Sequence, residues 1–563
     1  MSTSETTMYD WDAIAWHKLE RCVFKLQKRI YRASSRGDVK TVHKLQRLLT
    51  KSKAAALVAA KRVAQTNQGK KTAGIDGIAS LTSRQKLKLA EEVARNPLPA
   101  KAKPVRRVWI PKPGKDEMRG LGIPVMADRA RQALAKLALE PEWEAKFEPN
   151  SYGFRPGRSC HDAIEEIWVS ILKAEKYVLD ADIAKCFDRI NHAALLAKLG
   201  TYPAMRRAVR AWLRAGIMDG GELFPTTEGT PQGGVISPLL ANIALHGLET
   251  AVRAAFPHFK PPRSSKPNVP WKPKVIRYAD DFVILHRDRD ELLKAKAIAE
   301  EWLKGMGLEM KPSKTRITHT LKEIDGPAGF DFLGFNIRQY PRGKTRCTTN
   351  GLGEATGFAP SIRPSPQSQE RLLQKVRDLL RSNQATRQAT LVAKLSPILK
   401  GWGNYFSTVV SKEVFRKMDN LLFWKLWPWT VRRHPNKNRK WVADRYWVRD
   451  GHGWTFGKKG VAVLPKLAAI PIRRYVKVQG IRTPFDGDAI YWSIRTGKHP
   501  ELPWGYPKLL KAQKGRCPVC GLHFIPGDSM QPLGLSRRPA VLPGRTALVH
   551  QHCTDVASHA WCE

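Results

Sequence analysis

Two adjacent carboxylates, Asp280 and Asp281, interrupt a run of apolar β-formers, with Val275 and Ile276 before them and Phe282, Val283, Ile284 and Leu285 after. The pattern predicts two strands of a hairpin with the aspartates at its turn. A hairpin tip presents paired carboxylates to solvent while its strands stay buried. Hard oxygen ligands suit Mg²⁺, which usually binds through a few carboxylates plus substrate phosphates. Two such ions stabilise both the attacking and the leaving oxygen of a phosphoryl transfer. An isolated Asp-Asp step is more often a solvated turn, so the surrounding chain has to decide.

A second acid-bearing strand lies upstream. Tyr177-Val178-Leu179-Asp180-Ala181-Asp182-Ile183 is short and apolar and ends in acid, and Lys185-Cys186-Phe187-Asp188 continues it. Strand, aspartate, four residues and then an aromatic is what a polymerase palm needs. In that reading Asp182 binds both metal ions, helped by the backbone carbonyl of Ile183. Phe187 lies under the incoming sugar, where a bulky ring excludes a 2′-hydroxyl, so deoxynucleotides are the expected substrates. Asp180 and Asp188 are expected to be structural. Between the two acidic strands, Glu228 to Pro238 is a Gly/Pro loop that opens a helix, Leu239 to Leu248. Its glycines permit close backbone approach to a substrate, and a helix N-terminus favours phosphate.

The 563-residue chain is too long for one ordinary domain; roughly three to five units are expected. With 97 Lys and Arg against 50 acids, the net charge is +47, a field that attracts polyanions, nucleic acid above all. No uncharged apolar run is long enough to span a bilayer, so no membrane partner is expected. The opening MSTSETTMYDWDAIAW lacks a basic region followed by an apolar core, and no secretory leader is expected. Eight cysteines in so long a chain do not suggest a disulfide scaffold, and a reducing, cytoplasmic setting fits.

Residues 11 to 65 predict two basic amphipathic helices, one carrying Leu19, Val23, Leu26 and Ile30, the other Val39, Val42, Leu45, Leu48 and Leu49. They read either as a packed pair with a solvated face or as an arm that grips RNA phosphates. A strand from Val105 to Ile110 and a turn at Pro111-Lys112-Pro113-Gly114 form a basic hairpin with Arg106, Arg107, Lys115 and Arg119, suited to a triphosphate. A helix from His161 to Lys173 begins with a histidine read as a packing residue. Lys314 is placed near the triphosphate as a possible proton donor to the leaving pyrophosphate. Phe330 to Phe335 is an apolar hairpin, and residues 366 to 430 are helical. From 422 to 456, aromatics interleave with Arg and Lys, either stacking bases or forming a small core. The tail pairs Cys517-x₂-Cys520 with His550-x₂-Cys553, spacing that suits one tetrahedral, structural Zn²⁺; His552 is the alternate ligand.

Taken in order, VWIPKPGK, LGIP, SYGFRPGRS, DADIAKCFD, GTPQGGVISPLLAN, IRYADDF, a Lys-Thr block and FDFLGF resemble the motifs of group II intron reverse transcriptases, the intron-encoded maturases. The resemblance spans about residues 20 to 430. It implies an α+β multidomain protein with a right hand of fingers, palm with an antiparallel sheet, and helical thumb (domain X). It implies RNA-templated DNA synthesis with two Mg²⁺ and deoxynucleoside triphosphates, and help in splicing the parent intron RNA. Carried across by motif, Asp182, Asp280 and Asp281 are the catalytic metal ligands. Phe187 is the sugar gate, Gln232 lies near the templating pair, and Lys112 and Arg119 contact the triphosphate. The family usually reads Arg-Pro-Leu-Gly where this chain has Arg119-Gly120-Leu121-Gly122. Domain X is expected to bind intron RNA, with Arg371, Lys375, Arg377 and Lys400 as contacts and Trp402 and Phe406 as packing.

The implied division is a basic helical extension (1–65), fingers and palm (66–360), thumb (361–430), a segment contacting target DNA (431–505) and a small HNH-like zinc domain (506–563). The tail departs from the HNH pattern: the His-His or Asp-His pair is missing from DSMQPLGLSRRP, and Thr554 stands where a His is usual. A single-metal nuclease needs a general base, so a zinc fold without nuclease activity is expected, with primers from elsewhere, such as nascent strands at a replication fork. The alternatives are a maturase with a vestigial polymerase, against which the intact aspartates stand, and a related reverse transcriptase recruited to defence or repair. A ribonucleoprotein in a bacterial-type cytoplasm is the expected setting.

Overall fold

The computed structural model describes residues 10–111, 117–256, 272–324, 326–450, 453–458, 460–534 and 546–554. The N-terminal region forms three helices where the periodicity predicts two: α1 (Trp16–Ser35), α2 (Val39–Thr50) and α3 (Lys53–Lys61). The side chain of Asp38 accepts from the Thr41 amide and that of Ser52 from the Ala55 amide. Each cap starts a helix: Asp38 opens the second predicted helix, which stands intact as α2, and Ser52 opens a third. A short π turn (Arg62–Thr66) follows, then α4 (Ser83–Arg95) with a Thr82/Gln85 capping box. These helices do not stand apart. Val23, Ile30, Val42, Leu45, Leu49 and Val93 share one core with α5 (Met126–Glu144).

One four-stranded sheet has the order β2-β1-β4-β5. It comprises β1 (Val105–Pro111), β2 (Met118–Ile123), β4 (Ile217–Asp219) and β5 (Glu222–Phe224), with β3 (Tyr177–Asp182) belonging to a second four-stranded sheet. Between α5 and β4 lie α6 (Cys160–Ile171), α7 (Cys186–Arg189), α8 (His192–Leu199) and α9 (Pro203–Leu213). The helix opened by the Gly/Pro loop divides into α10 (Ser237–Leu245) and α11 (Leu248–Ala254), broken at Gly247 with φ +99°.

The second four-stranded sheet runs β6-β7-β3-β8, from β6 (Lys274–Tyr278), β7 (Asp281–His286), β3 and β8 (Arg316–His319), with α12 (Arg289–Lys304) packed on it. Its strands are apolar on both faces because each face serves a different core. Val275, Leu179, Ala181, Phe282 and Ile284 point into the core shared with the N-terminal helices. Ile276, Val178, Val283 and Leu285 point into a second core shared with residues from 372 onward, such as Leu372, Val376 and Leu395.

The apolar hairpin is the start of a three-stranded sheet, β9 (Phe330–Phe332), β10 (Phe335–Pro341) and β11 (Phe358–Pro364). Three helices follow, α13 (Pro366–Arg381), α14 (Gln388–Phe406) and α15 (Lys412–Arg432), then α16 (Arg439–Tyr446). A small sheet of β12 (Trp447–Asp450), β13 (Gly453–Lys458) and β14 (Ala462–Val463) closes against it. Trp429, Tyr446, Trp447 and Phe456 are buried there, so much of the aromatic segment is core, whereas Trp424 (61%) and Trp454 (44%) remain exposed. Phe406 is buried and packs on Trp402 with ring centroids 4.8 Å apart, so both are packing residues.

The stretch from 464 to 505 returns across the molecule. Asp162, fully buried at the start of α6, accepts from the Tyr475 hydroxyl (3.1 Å) and the Val478 amide (2.6 Å) and pairs with Arg495. Arg158 donates to the Gly480 carbonyl (2.9 Å), and a Cβ at Gly157 would lie 2.3 Å from the Trp492 ring. The last elements are α17 (Ala489–Thr496), α18 (Tyr506–Ala512), β15 (Met530–Gly534) and β16 (Thr546–His550), around a third small core with Leu510, Phe524 and Leu548. Among the described residues no helix is long and apolar enough to cross a membrane.

Candidate active site and metal-ligand cluster

The β6–β7 hairpin closes through Ala279 and Asp280, with Tyr278 paired to Asp281. Ala279 has φ +58°, a conformation that costs a residue with a Cβ and persists only where the surroundings enforce it. Three segments do so. Arg277, buried, donates to the Ala279 carbonyl (3.0 Å), to Asn242 Oδ1 (3.1 Å) and to Ser151 Oγ (2.7 Å). Burial brings its guanidinium down to about 10. Asn242 in turn donates to the Gly153 carbonyl (2.7 Å). Gly153 itself lies against the turn, and a Cβ there would come within 2.4 Å of the Ala279 nitrogen. The Arg277 backbone exchanges hydrogen bonds with Asn150 and Tyr152, both 2.9 Å. The loop is anchored by a bidentate, buried pair of Arg155 with Glu144 (2.9 and 2.8 Å).

Asp182 stands opposite Asp281 in the β3–β7 register, and the Ile183 amide donates to the Asp280 carbonyl (3.2 Å). The structure therefore brings Asp182, Ile183, Asp280 and Asp281 together. Burial, then the charges of Asp280 and Asp182, pushes the Asp281 carboxyl up to about 7. Asp280 is raised chiefly by burial, with Asp182 adding to it. Lys314 pairs with Asp182. Burial lowers its ammonium, but the Asp182 carboxylate outweighs that, and the net shift is upward. Asp180 pairs with Arg316 (3.3 Å), and burial still lifts its carboxyl to about 6.

Phe187, half-buried on α7, meets Phe154 edge-on with centroids 6.3 Å apart. The 228–234 loop is locked to α7: the Thr230 amide donates to the Phe187 carbonyl (2.5 Å), and a Cβ at Gly229 would sit 2.6 Å from Asp188 backbone atoms. The same loop joins β2 through the Gly122 amide and the Gln232 carbonyl (2.7 Å), while the Gln232 side chain faces Asp188 (3.5 Å). Arg119 is exposed on β2, and its charge acts favourably on Asp280. A Cβ at Gly120 would fall 2.5 Å from Arg107 Nη1, so glycine at this position makes room for the Arg107 side chain. Lys112 lies outside the described residues. His161 donates through Nε2 to the Tyr405 carbonyl (2.8 Å) and packs on Phe335.

In the tail, ligand atoms of Cys517, Cys520, His550 and Cys553 lie within 4.8 Å of one another. Cys520 Sγ is 3.4 Å from His550 Nδ1, and His550 Nε2 is 3.2 Å from Asp528 Oδ2. Three sulfurs and one imidazole nitrogen are a donor set suited to Zn²⁺, and a carboxylate on the far ring nitrogen fixes the tautomer. His552 is exposed and stacks on His550, centroids 5.1 Å apart, outside the cluster. Arg277, Asn242, Ser151, Gly153 and Asp528 were not singled out by sequence reasoning. The first four lie inside the polymerase-like motifs, and their residue type was the available signal.

Residues 110–337 match the model of the reverse transcriptase (RNA-dependent DNA polymerase) family. Residues 11–93 match the N-terminal domain of reverse transcriptase, and 369–447 the group II intron maturase-specific domain. Protein YkfC of Escherichia coli is 30% identical over 380 residues, covering 60% of this chain and 95% of that protein. Group II intron-encoded protein LtrA of Lactococcus lactis is 30% identical over 333 residues, covering 48% of this chain and 53% of LtrA, about half its length. Maturase-like protein 1 of Euglena gracilis is 25% identical over 397 residues, covering 69% and 76%. With three palm carboxylates converging and these matches in chain order, the chain belongs to the group II intron-encoded reverse transcriptase and maturase family.

Proposed function

We propose that this protein is an RNA-directed DNA polymerase that binds the group II intron encoding it, assists its splicing, and copies it during intron mobility. The observation that carries the reading is Asp182 in register with Asp281 beside a braced Asp280 turn. The donor set fits Mg²⁺, because it is all hard oxygen and its members raise one another's proton affinity. Two bound Mg²⁺ would supply activation of a primer 3′-hydroxyl and charge neutralisation on the phosphates.

The chain's own side chains do the positioning. Asp182, Asp280 and Asp281, with the Ile183 carbonyl, hold the ions. Lys314, released from Asp182, turns to the triphosphate and gives its proton to the departing pyrophosphate. Arg119 and Lys112 grip the phosphates, Gln232 lies beside the templating pair, and Phe187, propped by Phe154, excludes a 2′-hydroxyl. The edge contact between the two rings supports that last role.

One structural Zn²⁺ sits among Cys517, Cys520, His550 and Cys553, in a tail without nuclease activity. The exposed Trp424 and Trp454, among Arg and Lys, contact target DNA. The working form is a ribonucleoprotein in the cytoplasm. Primer extension on RNA with deoxynucleotides tests the polymerase half. Sequencing the RNA that co-purifies at high salt, after expression with native flanking DNA, tests the other. One dominant excised lariat supports the maturase role; a heterogeneous pool removes it.

A further inference from the structure

Helix α9 buries Met205, Ala208, Val209, Trp212 and Leu213 and turns Arg206, Arg207, Arg210 and the C-capping Arg214 outward. Residues 207, 210 and 214 are three and four apart and so share one face. Opposite them runs the 100–102 loop. Between helix and loop is a cavity of about 450 Å³, lined by Lys101, Arg207, Arg210 and Arg214 with three alanines. Among the described residues, no carboxylate lines it. None of these four cations forms an ion pair with a described residue, whereas exposed lysines elsewhere do, as Lys294 with Glu291 and Lys304 with Glu301.

We infer that the α9 cavity is a second RNA-backbone site, separate from the polymerase cleft, that takes consecutive phosphodiesters of a structured RNA. The inference rests on the reading of the protein as a partner of a folded intron RNA. Its chemistry is that of phosphate recognition: guanidinium forks match phosphate oxygens bidentately. Alanines 100, 102 and 211 leave the concavity open and offer no apolar pocket to anchor a peptide side chain. The site has a firm floor, because α9 is packed into the main core. Both walls run directly into the fingers sheet, where the Val105 amide donates to the Gly216 carbonyl (3.0 Å). The cavity is at the root of β1. The end of the hairpin bearing Arg119 is at the other end of that strand, about 20 Å away. RNA held here would fix the fingers without entering the cleft.

The test uses the full-length protein with its cleft filled by an RNA template carrying a dideoxy-terminated DNA primer and the next deoxynucleotide. The probe is a labelled blunt RNA hairpin, titrated over a range of salt. Arg207→Gln/Arg210→Gln/Arg214→Gln should weaken hairpin binding at least tenfold and lower the salt slope by about 2 to 3, near 0.9 for each phosphate no longer neutralised. Lys101→Gln alone should lower it by about 1. Primer extension should stay at the wild-type rate in both. Unchanged hairpin affinity and slope in both variants, with extension intact, would overturn the inference. A wild type unable to extend any primer would instead remove the polymerase reading and leave the hairpin result to stand on its own.

Discussion

The Arg277 guanidinium reaches forward two residues to the Ala279 carbonyl, at 3.0 Å, and so holds the left-handed residue that sets Asp280 and Asp281 at the hairpin tip. The same group satisfies Asn242 and Ser151. Replacing Arg277 by Met leaves three buried acceptors without their donor. Each costs about 1–3 kcal/mol when left unsatisfied, with partial relief from relaxation. Urea denaturation should show Arg277→Met destabilised by about 2–4 kcal/mol, with primer extension falling further than the loss of folded protein explains.

Asp281 gives the metal-free protein a distinctive pH dependence. Its folded carboxyl titrates at about 7, against about 3.9 for an unperturbed aspartate. Between those values the folded state holds more protons than the unfolded one, so stability falls as pH rises through the window. Asp281→Asn removes that cost. In EDTA at pH 8 this variant should melt higher than the wild type, and it should lose less stability between pH 5 and 8. Mg²⁺ should raise the wild-type Tm and leave the variant's nearly unmoved. A wild type that gains stability from pH 5 to 8 in EDTA would contradict the assignment.

On the proposed reading, the Phe187 ring, held edge-on by Phe154, acts as a steric filter. Phe187→Ala should let ribonucleotides be incorporated at least roughly tenfold better relative to deoxynucleotides, measured by single-nucleotide extension. An unchanged ratio would place the sugar elsewhere.

The His550–Asp528 contact at 3.2 Å predicts a ligand oriented from behind. Asp528→Ala should weaken zinc retention by about 10–100-fold in competition with a chromogenic chelator. Cys517→Ser should abolish stoichiometric zinc. Primer extension should survive both, because the cluster packs in a core of its own.

The palm was legible because its constraints are local. A double-sided apolar strand ending in acid reads the same in one dimension as in three, and Asp182, Asp280 and Asp281 converge as the hairpin pattern predicts. The cysteine cluster was legible from spacing alone. The braces were not. Asn242 and Arg277 are 35 residues apart, and Ser151 and Arg277 are 126 apart. No periodicity connects such pairs, and a buried arginine reads as one more cation in a basic chain. The return of 464–505 onto α6 was hidden for the same reason. Asp162 looks like a helix-cap residue, which it is, while its other oxygen takes the Val478 amide 316 positions away. The third helix of the 11–65 region was missed because its polar cap, Ser52, weighed less in the pattern than the leucines before it.

The most direct test of the central claim is primer extension by the wild type and by Asp280→Ala on an RNA template with a DNA primer, Mg²⁺ and all four deoxynucleotides. The account predicts full-length DNA from the wild type and a loss on the order of a thousandfold or more in the variant, with the variant still folded and still binding RNA. Equal extension by the two proteins, or none by the wild type, would contradict it.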